Sequence, residues 1–190
     1  MAARRRPAEK PTLEGELVRL RPIGPADADS MWELVTDPHT RRVTGVTATY
    51  TREQVDRWCA DAAKAPDRID LAVTASGSDE YLGEIVLTDL DEVHGSANLR
   101  LSMRPAARGR GYGTEAIELV LSLAFEGYGL HRVGLEVLAI NPRAQALYEG
   151  VGFVVEGRRR EAYRDGDRWC DAVLMAILDD EFRARAGSTD

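Results

Sequence analysis

Between Arg108 and Glu115 the chain reads Arg-Gly-Arg-Gly-Tyr-Gly-Thr-Glu, three alternate glycines flanked by arginines just before a long apolar segment. Glycine tolerates positive φ and has no Cβ to hold a ligand away, so successive backbone N–H groups can turn into one concavity. A helix opening at about Gly111 would aim its unpaired N–H groups and the positive end of its dipole at the same point. With Arg108 and Arg110 beside it, such a nest suits a phosphate or pyrophosphate.

The flanking patterns say what the loop joins. Ala97, Leu99, Leu101 and Met103 alternate with Asn98, Arg100 and Ser102, which predicts a strand ending at Arg104-Pro105. From Gly113 to about Gly127 the polar residues Glu115, Glu118, Ser122 and Glu126 fall on one narrow stripe, so most of that helix is buried against a sheet. Upstream, Leu17 to Arg21 reads as a first strand. Pro25 opens a helix through Ala28, Met31, Trp32 and Val35, and Asp37-Pro38 ends it. Residues 38–50 read as a loop, long enough to form a lid or binding wall. Thr51 with Gln54 is a capping box for a helix burying Val55, Trp58, Cys59 and Ala62.

Strands follow at 69–73 and 81–88, about a hairpin turn at Ser76-Gly77-Ser78-Asp79. Val133, Leu135 and Val137 mark a fifth strand, with Glu136 on its opposite face. Asn141-Pro142 opens a helix with Ala144, Leu147, Tyr148 and Val151 on one side. Two late strands, 153–163 and 169–178, flank a turn at Arg164 to Asp167. The predicted fold class is α/β, a single domain over 13–182 with a mixed sheet of about seven strands flanked by about four helices. Residues 1–12 are expected to be a disordered leader and 183–190 a frayed tail.

Composition narrows the function. A formal net charge of −7 argues against nucleic acid as the main partner, and an acidic surface suits a basic substrate such as an amine. Two cysteines are too few for a disulfide framework, and the three histidines lack metal-ligand spacing, so no metal is expected. No apolar run follows Arg4-Arg5-Arg6 as a signal peptide requires, and no stretch is long enough to cross a bilayer. A cytoplasmic protein with no membrane partner is the expectation.

Two familiar phosphate loops fit poorly. A Walker loop needs Gly-Lys-Ser/Thr, and there is no lysine here. A dinucleotide fingerprint needs Gly-x-Gly-x-x-Gly tight against its strand and an acidic residue about 20 positions later. Here the pattern is Gly-x-Gly-x-Gly, set off from its strand by Pro105 and four more residues, and no acid ends the next strand.

Arg108 to Thr114 instead resembles the acetyl-CoA pyrophosphate loop of the GNAT superfamily, the GCN5-related N-acetyltransferases. The likeness extends to Met103-Arg104-Pro105 before the loop, to Leu135-Glu136-Val137, and to Asn141-Pro142-Arg143-Ala144 with Tyr148 before Gly152-Phe153. The opening Leu17-Val18-Arg19-Leu20-Arg21, the late Glu156-Gly157 and Asp165-Gly166 resemble the RimJ/RimL-like ribosomal-protein branch. Together these motifs cover roughly residues 15–180.

The resemblance implies acetyl transfer from acetyl-CoA, as co-substrate, to a primary amine: a protein N-terminus or a small molecule such as a polyamine or an aminoglycoside-type drug. Tyr148 would protonate the departing thiolate, although its position also suits a core tyrosine. Glu136 would be the base and Glu84 the runner-up, beside a water chain with no dedicated base. Asn141 and the backbone of Met103 would hold the pantetheine arm. Arg108, Gly109, Arg110, Gly111, Tyr112, Gly113 and Thr114 would hold the pyrophosphate. Trp32, Tyr50, Glu84 and Tyr163 would line the acceptor pocket, with Trp32 equally suited to anchoring its helix. A cysteine nucleophile is conceivable, but Cys59 shares an apolar face with Val55 and Trp58, and no histidine is placed to activate either thiol. Direct transfer in a ternary complex is therefore expected. A non-catalytic acyl-CoA sensor is the rival from another class, and a homodimer through the late strands an expectation by analogy.

Overall fold

The structure, a computed structural model, describes residues 10–186. Residues 1–9, most of the expected leader, and 187–190 lie outside the described residues. Eight strands form one sheet in the order β1-β2-β3-β4-β5-β6-β8-β7. They are β1 (Leu13–Glu14), β2 (Val18–Pro22), β3 (Ile69–Ala75), β4 (Tyr81–Asp91), β5 (Ser96–Met103), β6 (Arg132–Leu138), β7 (Val154–Asp165) and β8 (Arg168–Leu178). The helices are α1 (Ala28–Thr36), α2 (Pro38–Thr44), α3 (Arg52–Asp61), α4 (Tyr112–Ser122), α5 (Pro142–Val151) and α6 (Asp179–Ala186). The α/β class and mixed sheet hold, with one more strand and two more helices than expected.

The largest addition is α2, within the stretch read as a loop. Asp37-Pro38 does end α1, but it also starts a helix. The Asp37 carboxylate accepts hydrogen bonds from Thr40 N (2.7 Å) and Thr40 Oγ1 (2.6 Å), Pro38 takes the first turn, and Gly45 closes the helix at φ 69°. The same dipeptide serves both ends of the break. The tail differs too: α6 continues to Ala186, with Arg183 and Arg185 in its last turn.

Alternation along the central strands divides the molecule into two packed layers. On one face Leu71, Ile85, Leu87 and Leu99 meet Ala116, Ile117, Val120 and Leu121 of α4, and the cluster extends to Tyr148 and Val151 of α5. On the other face Ala72 and Tyr81 meet Met31 and Leu34 of α1 and Val55 and Cys59 of α3.

One pairing in the sheet decides where a ligand can go. Every neighbour pair is antiparallel except β5 and β6, which are parallel and paired only over Ser96–Asn98 and Arg132–Gly134. Beyond Asn98 the two strands part. Among the described residues, the outer edge of β5 from Leu99 to Met103 therefore has no strand beside it, and unpaired edge groups remain for a partner.

The glycine-rich loop stands over this gap. Arg108 is extended, Gly109 and Gly111 take φ of 77° and 82°, and α4 begins at Tyr112. The loop is tied down from behind. Glu115 accepts the backbone N–H groups of Glu16 (2.8 Å), Leu17 (2.8 Å) and Val18 (2.7 Å), which locks the entry to β2 onto the first turn of α4. Sequence reading had placed Glu115 only on a polar stripe.

Removing that carboxylate strands three N–H groups, two of them exposed, so Glu115→Ala is expected to cost about 1–2 kcal/mol of stability. Urea unfolding measures this. A loss within error would show that water replaces the carboxylate freely.

Candidate active site

Where β5 and β6 diverge, a cavity of about 430 Å³ opens. Its walls include Met103, Arg108, Gly109, Gly111, Gly113 and Thr114 from the loop side, and Asn141, Arg143 and Tyr148 from α5 and its cap. The backbone N–H groups of Gly109 to Thr114 donate no hydrogen bond among the described residues, and Glu115 N is the first to bond back, to Gly111 O at 3.1 Å. A row of free donors at the head of an eleven-residue helix is an anion site.

Two guanidinium groups face the same place. Arg108 is half-buried and held rigidly: its Nε donates to Met103 O (3.0 Å) and its Nη2 to Thr40 Oγ1 (2.8 Å). Burial pushes its pKa down, Asp37 opposes this, and Arg143 adds to it. A Cβ at Gly109 would lie 2.6 Å from Arg143 Nη2, so Arg143 lies directly against the loop. Two cations brought together with one partly desolvated is a costly arrangement that a phosphate would relieve. Arg143 was overlooked in the sequence because it follows Pro142 on another element. Arg110 and Tyr112, expected at the phosphates, do not line the cavity; Arg110 is exposed.

Asn141 caps α5 by accepting from Ala144 N (3.2 Å), and it also lines the cavity. Tyr148 is 7% exposed, edge-on to Phe153 at 5.7 Å, and its hydroxyl has no hydrogen-bond partner among the described residues. Burial pushes its pKa up to about 12, so it stays protonated through the neutral range.

A second cavity, of about 370 Å³, lies under α1, α2 and α3 on the opposite face. Tyr50, Trp58, Glu84, Arg68 and Arg100 are among its walls. The two cavities share Thr40 and Thr44 of α2 and Ser102 of β5, so they meet at the end of β5. Glu84 pairs in register with Ser102 and is half-buried. Desolvation pushes its pKa up, and Arg100 pulls it back.

Three expected residues lie elsewhere. Glu136 lines neither cavity, and both its oxygens are taken: Oε1 accepts from the Tyr163 hydroxyl at 2.5 Å and Oε2 pairs with Arg159 at 2.6 Å. Tyr163 is committed to that bond, and its ring packs where a side chain on Gly45 would be, 2.8 Å away. Trp32 packs against the α1–α3 core and is the helix anchor. Trp58, read only as a buried helix residue, joins Tyr50 as an aromatic wall of the cavity.

Neither thiol suits a covalent route. Cys59 and Cys170 are buried, and burial pushes Cys59 up to about 11. The native protein is expected to leave both cysteines unreactive toward a chromogenic disulfide at about pH 8, and to expose them on unfolding. A thiol that titrates rapidly in the native state would reopen that route.

Residues 18–154 match the acetyltransferase (GNAT) domain model, and the chain belongs to that family. A spermidine N(1)-acetyltransferase of Vibrio cholerae serotype O1 is 30% identical over 114 residues; the match takes in 60% of this chain and 66% of that protein, just under two thirds of its length. YdaF of Bacillus subtilis (strain 168), which carries a provisional ribosomal N-acetyltransferase name, is 25% identical over 175 residues, covering 88% of this chain and 94% of it. Among solved structures, the spermidine N-acetyltransferase from Vibrio cholerae in complex with CoA and spermine superposes with a TM-score of 0.82 at 22% identity, over 89% of this chain and 99% of that one. It shares the fold.

Proposed function

We propose that the protein transfers an acetyl group from acetyl-CoA to a primary amine by direct attack in a ternary complex. The observation that carries this is the junction of two cavities at Ser102. One is walled by the phosphate nest and Tyr148; the other holds Glu84. The family supplies the donor class, and the nest with Arg108 and Arg143 suits its pyrophosphate. The names of the Vibrio relative and of YdaF support a polyamine and a protein N-terminus, respectively, as acceptor classes.

The chemistry divides among named groups. An aliphatic ammonium has a pKa of about 10.4, so the amine must lose a proton to attack. Glu84 takes it: the carboxylate opens on the acceptor side, has no hydrogen-bond partner among the described residues, and is made more basic by burial. The nitrogen then bonds to the thioester carbon. Backbone donors on the free edge of β5 face the developing oxyanion. As the carbon–sulfur bond breaks, Tyr148 gives its proton to the sulfur, the nitrogen releases its second proton to solvent, and solvent returns a proton to Tyr148. This reassigns the base from Glu136, whose oxygens are already engaged, to Glu84.

Thiol release from acetyl-CoA with a panel of amines tests the reading. Tight CoA binding with no turnover of any amine would mark a sensor instead. Tyr148→Phe is expected to lower kcat by about 10²-fold while leaving the acetyl-CoA Kd within about twofold. Wild-type turnover across the pH range would return Tyr148 to a packing role. Arg143→Ala should raise the KM for acetyl-CoA about tenfold with kcat retained; an unchanged KM would remove Arg143 from the phosphate site.

Glu84→Gln separates activity from stability. Its folded-state pKa is raised, so the protonated form is the one the fold favours; the stability it contributes is present below the unfolded pKa and lost as pH rises through the folded one. At neutral pH the glutamine variant is therefore expected to melt higher than wild type and to lose about 10²-fold in kcat/KM. A variant that melts lower and stays active would show that the carboxylate is structural.

A further inference from the structure

The charge of the acceptor cavity points away from a polyamine. Its ionisable walls include three arginines, Arg41, Arg68 and Arg100, against one carboxylate, Glu84. The charges behind the wall do not reverse the balance. Arg68 grips the buried Asp70 at 2.6 Å, but Lys10 binds the same carboxylate at 3.0 Å, so that cluster keeps its positive excess. A molecule whose charges are all ammonium groups would meet one carboxylate and three guanidiniums.

Arg100 is the wall residue with capacity to spare. Arg41 is spent on backbone, donating to Ala48 O (2.8 Å), Thr47 O (3.3 Å) and Val35 O (3.4 Å), and Arg68 is spent on Asp70. Arg100 makes no hydrogen bond and no ion pair within 4 Å among the described residues; Glu84 feels its charge from farther off. Arg100 is exposed, and its place follows from the alternation of β5. On β5, Arg100 and Ser102 are two positions apart and so share a face, roughly 7 Å apart along the strand. Ser102 borders the donor cavity and is paired with Glu84, whereas Arg100 lines the acceptor cavity alone. Leu34, Val35 and Trp58 supply an apolar wall across from them.

We infer that the acceptor is a primary amine carrying a carboxylate on an apolar body, an amino-acid-like molecule. Its amine lies at Glu84 and Ser102, next to the thioester, and its carboxylate lies on the Arg100 fork. A planar guanidinium matches a carboxylate with two parallel hydrogen bonds, and Trp58 with Val35 covers the side chain. This rests on the acetyl-transfer reading above and names its substrate class.

The test measures acetyl-CoA-dependent thiol release, together with acetyl-CoA binding, using L-phenylalanine, L-leucine, their carboxamides and spermidine. The expected result is a kcat/KM for the free amino acids at least about tenfold above the carboxamides and spermidine. In Arg100→Gln, the ratio of amino acid to carboxamide should fall about tenfold or more at the same pH. The carboxamide rate in the same variant reports how losing Arg100 changes Glu84 when the substrate brings no carboxylate. Turnover of spermidine or the carboxamides as good as that of the amino acids would overturn the inference and leave acetyl transfer standing. A preference for carboxylates that survives Arg100→Gln would overturn the placement on Arg100. Acetyl-CoA binding without turnover of any of the five amines, extended to the general panel, would overturn the acetyl-transfer reading itself.

Discussion

The structure depends on a sheet that stops pairing halfway. β5 and β6 share three residue pairs and then separate, and a mixed sheet interrupted in this way cannot close over its own core there. The gap must be filled by something that satisfies the bare edge of β5. The chain fills it from above with α5 and from below with α2, and leaves between them the channel in which Ser102, Thr40 and Thr44 are common to both cavities. The parting of two strands thus does for this fold what a cleft between domains does elsewhere. In the proposed reading it would bring two ligands end to end across a single layer.

A relay of polar contacts keeps the gap from collapsing. Asp37 accepts from the Thr40 hydroxyl, that hydroxyl accepts from Arg108, and Arg108 donates to the carbonyl of Met103 at the end of β5. The hydrogen bonds from Thr40, side chain first and backbone second, hold Asp37 below the usual carboxylate range, so the relay carries a fixed negative charge at one end and a fixed positive charge at the other. Gly83 adds a steric condition. A Cβ there would lie 2.2 Å from Ser102 O, so β4 can approach the junction strand only without a side chain. Positioning at Ser102 is therefore set by backbone contacts, which is the more rigid way to hold a reaction centre.

Much of this was legible in the sequence because its signals are local. The phosphate nest, the capping box at Thr51, the alternation of β5 and the cap at Asn141 are each contained within a few residues. What escaped depends on partners far apart in the chain. Glu115 joins α4 to the start of β2 across about a hundred residues, and Arg143 reaches Gly109 from another helix. Glu136 has the spacing expected of a site residue, but the strand pairings that give it to Arg159 and Tyr163 cannot be read from spacing. α2 was missed for a different reason, since Asp37-Pro38 is a valid stop signal for one helix and a valid start for the next.

Under the proposed reading, the cavity lined by Glu84 keeps the base in balance. Burial raises the pKa of Glu84, which strengthens it as a base but threatens to leave it protonated and useless; Arg100, the largest opposing influence, restrains the rise. The same arginine has no hydrogen-bond or ion-pair partner among the described residues and lines that cavity. A carboxylate settling on Arg100 would neutralise that restraint at the moment an ammonium group arrives beside Glu84. The arriving ammonium would place a cation beside Glu84 as the carboxylate pairs with Arg100. Once the proton has moved, the ammonium charge is gone and Arg100 is paired with the carboxylate, and burial favours the neutral acid. An amine without an anionic group would leave Arg100 competing with its own ammonium for Glu84. On this account the two residues form one device, in which the group that recognises the substrate also sets the strength of the base.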